Sequence, residues 1–305
     1  MNNSFLKYLL ADNPETTLNE QGIKMRKYLN KVIIPLAKTT TMGNLIIERK
    51  AEMPKDQPII YAATHVYKDD ILNSFITINN NAYLLFANKT AILETANGIL
   101  LWLNGVVYVD RQNKKSREAS KAKMKYVLNH GGNLLMYPEG MWNIEDNILI
   151  EQLNMGIYDV AKETNAVVAP LILHVVDKKC YAILESVYDM TKLDKKEALI
   201  DLRDRLATAK FELVEKYSNY ANQSRADLEK EKTLKEQWDE WVENEKKRTK
   251  VFFEAEERAG LFRDPNIISE EEVFTFLDNM EMTHSNAFLL GSGKKYVKRR
   301  KNKNV

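Results

Sequence analysis

His65 and Asp70 stand five positions apart in the run Thr64-His65-Val66-Tyr67-Lys68-Asp69-Asp70, directly after the apolar stretch Ile59-Ile60-Tyr61-Ala62-Ala63. A strand that ends in a histidine and turns into a helix carrying an aspartate can bring imidazole and carboxylate within hydrogen-bond reach. The carboxylate then holds one ring nitrogen and leaves the other to take a proton from a substrate hydroxyl. Such chemistry needs no serine or cysteine nucleophile and suits direct transfer of a group onto an alcohol. Asp69 offers a second carboxylate to the same ring. A simple helix N-cap is the competing role for the acid.

Three further runs follow in order. Gly105-Val106-Val107-Tyr108-Val109-Asp110-Arg111 reads as a strand ending in a charged pair. Tyr137-Pro138-Glu139-Gly140 reads as a strand end with a tight turn around a carboxylate. Val168-Ala169-Pro170-Leu171 is an apolar strand interrupted by proline. Each run is commonplace alone; their order and separation after His65 make the set informative.

The elements that must position these residues alternate between strand and helix from Asn44 to about Tyr188. Strands are expected at Leu45–Ile47, Ile59–Ala63, Ala82–Ala87, Val106–Val109, Asn133–Tyr137, Val167–Val176 and Tyr181–Glu185. Helices are expected at Ile71–Ile78, Ala91–Leu103, Ser116–Asn129 and Gln152–Glu163, and a long mixed-charge helix at 192–218. This is an α/β pattern: a largely parallel or mixed central sheet flanked by helices, with functional residues on loops at the strand ends. His65, Arg111 and Glu139 all fall on such loops. The expected organisation is an amphipathic helical segment at 1–43, a catalytic domain at 44–218 and a charged helical extension with a basic tail at 219–305.

The four runs resemble the glycerolipid (lysophospholipid) acyltransferase superfamily typified by lysophosphatidate acyltransferases. That family carries an Asn-His-x4-Asp block, a Gly-x-Ile-Phe-Ile-Asp-Arg block, a Phe-Pro-Glu-Gly-Thr-Arg-Ser block and a Val-x-Pro block, and the match spans about Ile46 to Val187. The resemblance implies an O-acyltransferase of phospholipid biosynthesis. His65 would be the general base and Asp70, selected by the family spacing, the residue that orients it. The acyl donor would be acyl-CoA or acyl-carrier protein, and the acceptor a hydroxyl of a lysophospholipid or another lipid or lipid-linked molecule. Arg111, Glu139 and Gly140 would line the acceptor site. Arg111 suits a phosphate because its planar fork binds two oxygens at once. Glu139 would accept bonds from acceptor hydroxyls or hold the loop through backbone N–H groups, and the backbone at Gly140 is a candidate oxyanion donor.

Several positions depart from the family pattern. Thr64 replaces Asn, Tyr67 stands where Ser is common, and Met141-Trp142-Asn143 replaces Thr-Arg-Ser. Met155 stands where a basic residue is common. Two acceptor-side cations are therefore missing. A buried charge-assisted contact is typically worth about 1.5–3 kcal/mol, or roughly one to two decades of affinity. Trp142 offers instead an apolar face for a sugar ring, lipid chain or larger head group. Lys68 and Lys114 are candidate replacement cations. The alternatives are thus the same chemistry on a phosphate-free acceptor (glycan, glycolipid or amino-acid lipid), or a non-catalytic lipid-binding scaffold.

Composition bounds the partners. The chain has 305 residues, 44% of them hydrophobic, and a net charge of +2. The one cysteine, Cys180, excludes a disulfide framework within a single chain and fits a reducing compartment. Met1-Asn2-Asn3-Ser4-Phe5-Leu6 shows no secretory signal pattern, and no apolar stretch approaches the ~18 residues of a membrane span. A cytoplasmic location, peripheral on the inner face of the membrane, is expected. Residues 16–40 read as a helix whose Met25, Tyr28, Leu29, Val32, Ile33 and Leu36 share one face, ringed by Lys24, Arg26, Lys27, Lys31 and Lys38. Pro35 is expected to kink or end it. That face is suited either to a membrane interface or to packing on the domain. The tail Lys294–Val305 is basic without an acidic residue and fits adsorption to anionic lipid; no nucleic-acid partner is expected. Leu234, Trp238, Trp241 and Val242 form a stripe for the domain or for a second subunit, as in a homo-oligomer, and Ser269-Glu270-Glu271-Glu272 matches a capping box. His130, His174 and His284 have no ligand spacing, so no metal is expected.

Overall fold

The computed structural model describes residues 11–14, 18, 20–40, 44–66, 69–87, 97–111, 113–143, 148–176 and 178–218, with single positions between 232 and 244. Residues 1–256 gather into one compact unit and 257–305 into a second, and every described residue lies in the first. The chain runs α1 (Glu20–Thr40), β1 (Leu45–Lys50), β2 (Ile59–Ala63), α2 (Asp70–Ile78), β3 (Tyr83–Phe86), α3 (Asn97–Asn104) and β4 (Val106–Tyr108). It continues through α4 (Lys114–Asn129), β5 (Leu134–Met136), α5 (Gly156–Thr164), β6 (Val167–Val176), β7 (Lys179–Leu184) and α6 (Lys195–Tyr217).

The strands form one seven-stranded sheet in the order β1-β7-β6-β2-β5-β3-β4. All neighbours pair in parallel except β6 and β7, which form an antiparallel pair. The central strands are apolar on both faces, as a parallel sheet covered on both sides requires. Alternate residues of β2 serve opposite cores. Ile60 and Ala62 join Val127, Ile157, Val160, Leu202 and Leu206 of α4, α5 and α6. Ile59, Tyr61 and Ala63 join Phe75 and Ile78 of α2 on the other side.

Because β2, β5 and β4 run parallel, their C-terminal ends lie along one edge of the sheet. The turns that leave those ends carry His65, Glu139 and Arg111. Thr64 completes the junction at β2. Its N–H donates to Leu171 O at 2.9 Å, and its hydroxyl accepts from Leu173 N at 2.9 Å and donates to Leu173 O at 3.3 Å. The buried Thr64 hydroxyl thus extends the β2–β6 ladder by one rung, just before His65.

Several boundaries differ from the sequence reading, four of them informatively. The helix expected from Gln152 begins at Gly156, because the preceding backbone is engaged elsewhere: Glu151 N–H donates to the Glu139 carboxylate and Asn154 N–H to Pro138 O. The helix α1 continues past Pro35 to Thr40. The helix α6 starts at Lys195, where Asp194 caps it by accepting from Lys196 N and Glu197 N. Strand β1 extends to Lys50. The stripe from Leu234 to Val242 lies largely outside the described residues, as do the capping-box segment, His284 and the basic tail.

The orientation of α1 was open in the sequence. It buries Ile23, Arg26, Asn30 and Ile34 and leaves Met25, Tyr28 and Val32 exposed at 52%, 70% and 70%. The two stripes start two residues apart, about 200° around a helix, and so lie on opposite faces. The inward face is anchored by the Arg26 guanidinium, which donates to Trp102 O at 3.2 Å and to Gly22 O at 3.3 Å.

Two stability predictions follow from these contacts. Thr64→Val keeps shape but strands the Leu173 N–H and C=O; it should cost about 1–3 kcal/mol in denaturant unfolding, whereas Thr64→Ser should cost far less. His174 of β6 has its pKa lowered to about 4 by burial and by the charge of Lys210. A histidine held neutral in the fold takes up its proton more readily when unfolded. Its contribution is therefore complete above about pH 6.5 and is lost as pH falls toward 4. Between pH 7 and 5 the wild type should lose on the order of 1–2 kcal/mol relative to His174→Gln, measured by chemical denaturation across pH.

Candidate active site

The site is built around His65. Its Nδ1 lies 2.6 Å from Asp70 Oδ2, and Ile71 N–H donates to Asp70 Oδ1 at 2.7 Å. Asp70 is the first residue of α2 and is 4% exposed. The preceding Asp69 takes a left-handed conformation with φ 48°, which a short polar side chain tolerates. Its own carbonyl accepts from Asn73 N, and its side chain makes no capping bond. The αL turn aims Asp70, and not Asp69, at the imidazole.

Burial raises the Asp70 carboxyl above its ordinary value, while the charge and hydrogen bond of His65 and the Ile71 N–H act to lower it. An acceptor carboxylate on Nδ1 puts the ring proton there and leaves Nε2 with its lone pair. The His65 side chain is 15% exposed, so the ring is mostly enclosed yet reachable.

The backbone of His65 is fixed from the Tyr-Pro-Glu-Gly turn. Its N–H donates to Glu139 Oε1 at 2.8 Å, and its carbonyl accepts from Asn143 N at 2.9 Å. The other Glu139 oxygen accepts from Glu151 N at 2.9 Å. Glu139 is 1% exposed, and burial raises its pKa, partly offset by the charge of Lys210 on α6. Of the two roles the sequence allows Glu139, these contacts fit the second: its carboxylate holds two loops through their backbone N–H groups. Asn143, in the place of a family serine, is itself buried and donates to Ile148 O and Leu149 O.

The Gly140 N–H donates to Tyr137 O at 2.9 Å and closes the turn. With φ +75°, Gly140 also has no room for a side chain, because an added Cβ would sit 2.4 Å from Asn154 Nδ2. Its carbonyl accepts from Arg111 Nη1. β4 and β5 are separated by β3, a span of about 10 Å, and the long Arg111 side chain bridges it.

Aromatic rings surround the base. Tyr137 stacks on His65 with centroids 4.3 Å apart, and Trp142 lies at 5.1 Å, tilted 43°. The sequence-predicted residues His65, Asp70, Arg111, Glu139, Gly140 and Trp142 thus lie in one cluster. Lys114 lies at the start of α4, 83% exposed and 3.9 Å from Glu118; Lys68 and Tyr67 fall outside the described residues. His130 bonds Tyr126 O and stacks on Tyr126, and His174 faces Ser218. Among the described residues no cluster of three metal-ligating side chains occurs.

Sequence reasoning missed Tyr137, Ser74 and Asn154. Asn154 donates through Nδ2 to Pro138 O at 3.0 Å and so buttresses the turn. The only sequence signal for Ser74 was its i+4 spacing from Asp70, which places both on one helix face.

Comparison with known proteins agrees with this geometry. Residues 44–174 match the Acyltransferase family model. No curated protein matches the sequence significantly. Among solved structures, the fold is similar to the 1-acyl-sn-glycerophosphate (LPA) acyltransferase PlsC from Thermotoga maritima. The TM-score is 0.51 at 17% identity, covering 69% of this chain and 86% of that one. Residues 44–174 are therefore similar to the Acyltransferase family, and the fold around them is similar to that of a solved LPA acyltransferase.

Proposed function

We propose that this protein moves a fatty acyl group from acyl-CoA or acyl-carrier protein to a hydroxyl of a lysophospholipid or another lipid acceptor. The observation that carries the reading is the 2.6 Å contact between His65 Nδ1 and Asp70 Oδ2 on a partly exposed ring. His65 Nε2 takes the acceptor hydroxyl proton as the oxygen attacks the thioester carbonyl. The tetrahedral intermediate then collapses, the C–S bond breaks, and the departing sulfur receives the proton from the imidazolium. Asp70 compensates the positive charge while it exists. A positioned base supplies about 10²–10⁴ in rate. The same pairing weighs against a non-catalytic scaffold, which has no use for a base braced by a buried acid.

On the acceptor side, Arg111 is the cation nearest the turn, and it suits a phosphate-bearing acceptor like the one named for PlsC. Trp142 beside the base favours a second reading, a phosphate-free acceptor whose ring or chain lies on the indole. A panel of lysophosphatidate, lysophospholipids with larger head groups and glycolipids separates the two readings.

The acceptor is a membrane molecule, and we place the protein on a membrane surface. Among the described residues no helix is long and apolar enough to cross a bilayer. The exposed stripe Met25, Tyr28 and Val32, edged by Lys24, Lys27 and Lys31, suits the plane of an anionic interface. The helix carrying it packs on α2, which holds Asp70. The basic tail at 294–305 would add attraction.

With thioester consumption as the assay, His65→Ala should remove nearly all acceptor-dependent turnover, and Asp70→Asn should cost about 10²-fold or more. Asp69→Asn should stay within a few-fold of wild type; equal losses for the two aspartates would refute the assignment. In co-sedimentation with anionic vesicles, replacing Met25, Tyr28 and Val32 together by serine should weaken binding by about 10-fold. Deleting residues 294–305 should weaken it further, with a reduced salt dependence. Unchanged pelleting of both variants would remove the membrane from the account.

A further inference from the structure

The hydrogen bond at Nδ1 fixes one point of the His65 ring. A ring held at one nitrogen can still tilt about that contact, and Nε2 would then sweep an arc across the position of the reacting hydroxyl. Tyr137 closes this freedom. Its ring lies nearly parallel to the imidazole, at 22°, with centroids 4.3 Å apart. The Tyr137 hydroxyl lies 3.0 Å from Ser74 Oγ. Ser74 follows Asp70 by four residues on α2 and so projects from the same face, one turn along. One helix face therefore reaches the edge of the imidazole through Asp70 and the tip of the ring stacked on it through Ser74. The block this turn resembles has phenylalanine here, which offers the ring without the hydroxyl that bonds Ser74.

We propose that Tyr137, braced by Ser74, is a positioning residue for the proton transfer: it holds the plane of the His65 ring against Asp70 and stabilises the ring once it is protonated. The stacked π face attracts the imidazolium that forms as the acceptor hydroxyl loses its proton. Among the described residues, the charged and titratable groups around the ring are few. The start of α2 supplies Asp70 and Asp69, and the turn after β5 supplies Tyr137 and Glu139. Cys180 of β7 and Lys210 of α6 stand behind Asp70 and Glu139 respectively. Burial and the nearby Asp70 charge keep the Tyr137 phenol well above its ordinary pKa. It is a neutral hydroxyl that bonds Ser74 and takes no part as an acid.

The inference deepens the acyl-transfer reading, so its test has one arm that needs no turnover. The protein has four histidines, and imidazole-15N-labelled protein with His65→Gln as the assignment control gives the His65 titration by NMR. Tyr137→Leu should move that midpoint down by about half a pH unit. The acidic limb of the kcat/KM profile should move with it, while KM for the thioester stays within about twofold. Tyr137→Phe and Ser74→Ala should each lower kcat by about 3- to 10-fold, and the double variant should lose no more than either single one. A Tyr137→Leu titration superimposable on wild type, or additive effects of Tyr137→Phe and Ser74→Ala, overturns the proposal. Should Tyr137→Leu fail to fold, the Tyr137→Phe and Ser74→Ala cycle, read in the NMR titration as well as in kcat, decides alone. A wild type that titrates as expected but consumes no thioester with any acceptor defeats the acyl-transfer reading and leaves the NMR arm to judge Tyr137.

Discussion

A buried carboxylate that accepts two backbone N–H groups is the constraint on which this site rests. Glu139 reaches back from the turn after β5 to the first residue beyond Thr64, and forward to Glu151. Adjacent parallel strands fix their Cα positions but leave the loops beyond them free. Glu139 ties the loop that carries His65 to the turn that carries Trp142. The His65 carbonyl, received by Asn143 N–H, completes the tie from the opposite side. The base thus has its backbone fixed before its side chain makes any contact, a preorganisation in which little need move as charge develops.

That arrangement carries an electrostatic cost with a chemical use. Asp70 and Glu139 are both buried, and burial raises both. An ionised carboxylate out of water is tolerable only when hydrogen bonds and a positive charge compensate it. Glu139 receives two N–H groups and the field of the buried Lys210. Asp70 receives one N–H and the imidazole. What Asp70 lacks in the resting state is a full positive charge, and His65 acquires one when it takes a proton. In the acyl transfer we propose, the charge-separated state would therefore be better matched to its surroundings than the state before proton transfer, which is how a fixed site favours a transition state over a ground state.

Some of this was legible in the sequence and some was not, for physical reasons. The His65–Asp70 pairing was readable because a strand-end histidine and a helix-start aspartate admit few geometries. The sheet was readable because β2 and β5 are apolar throughout and β6 is apolar but for His174, as strands covered on both faces must largely be. The role of Glu139 was not, because a turn carboxylate reads the same whether it faces a ligand or the backbone; only its burial decides. The true start of α5 was hidden for the same reason, since Glu151 and Asn154 spend on Glu139 and Pro138 the N–H groups that a helix would cap. Periodicity found an apolar stripe on α1, yet the helix packs by the opposite stripe of Ile23, Arg26, Asn30 and Ile34. Two of those four are polar, and only contacts such as Arg26 to Trp102 O explain why they face inward.

The departures from the family pattern then sort by where they stand. Thr64 and Asn143 are buried, at 0% and 4% exposure, and their polar atoms find backbone partners in β6 and in the loop at 148–149. Each substitutes one small hydrogen-bonding residue for another, so the scaffold around His65 survives the change. Trp142 and Met155 are different in kind. Both replace positions where the family carries a cation; Met155 is 60% exposed, and Trp142 stands against the base itself. Losing charge at two such places while keeping Arg111 leaves the proton-transfer apparatus intact and changes what the mouth of the site attracts. In the acyl-transfer reading proposed above, a phosphate-bearing acceptor would meet Arg111 without those two cations, and the Trp142 indole would lie beside it.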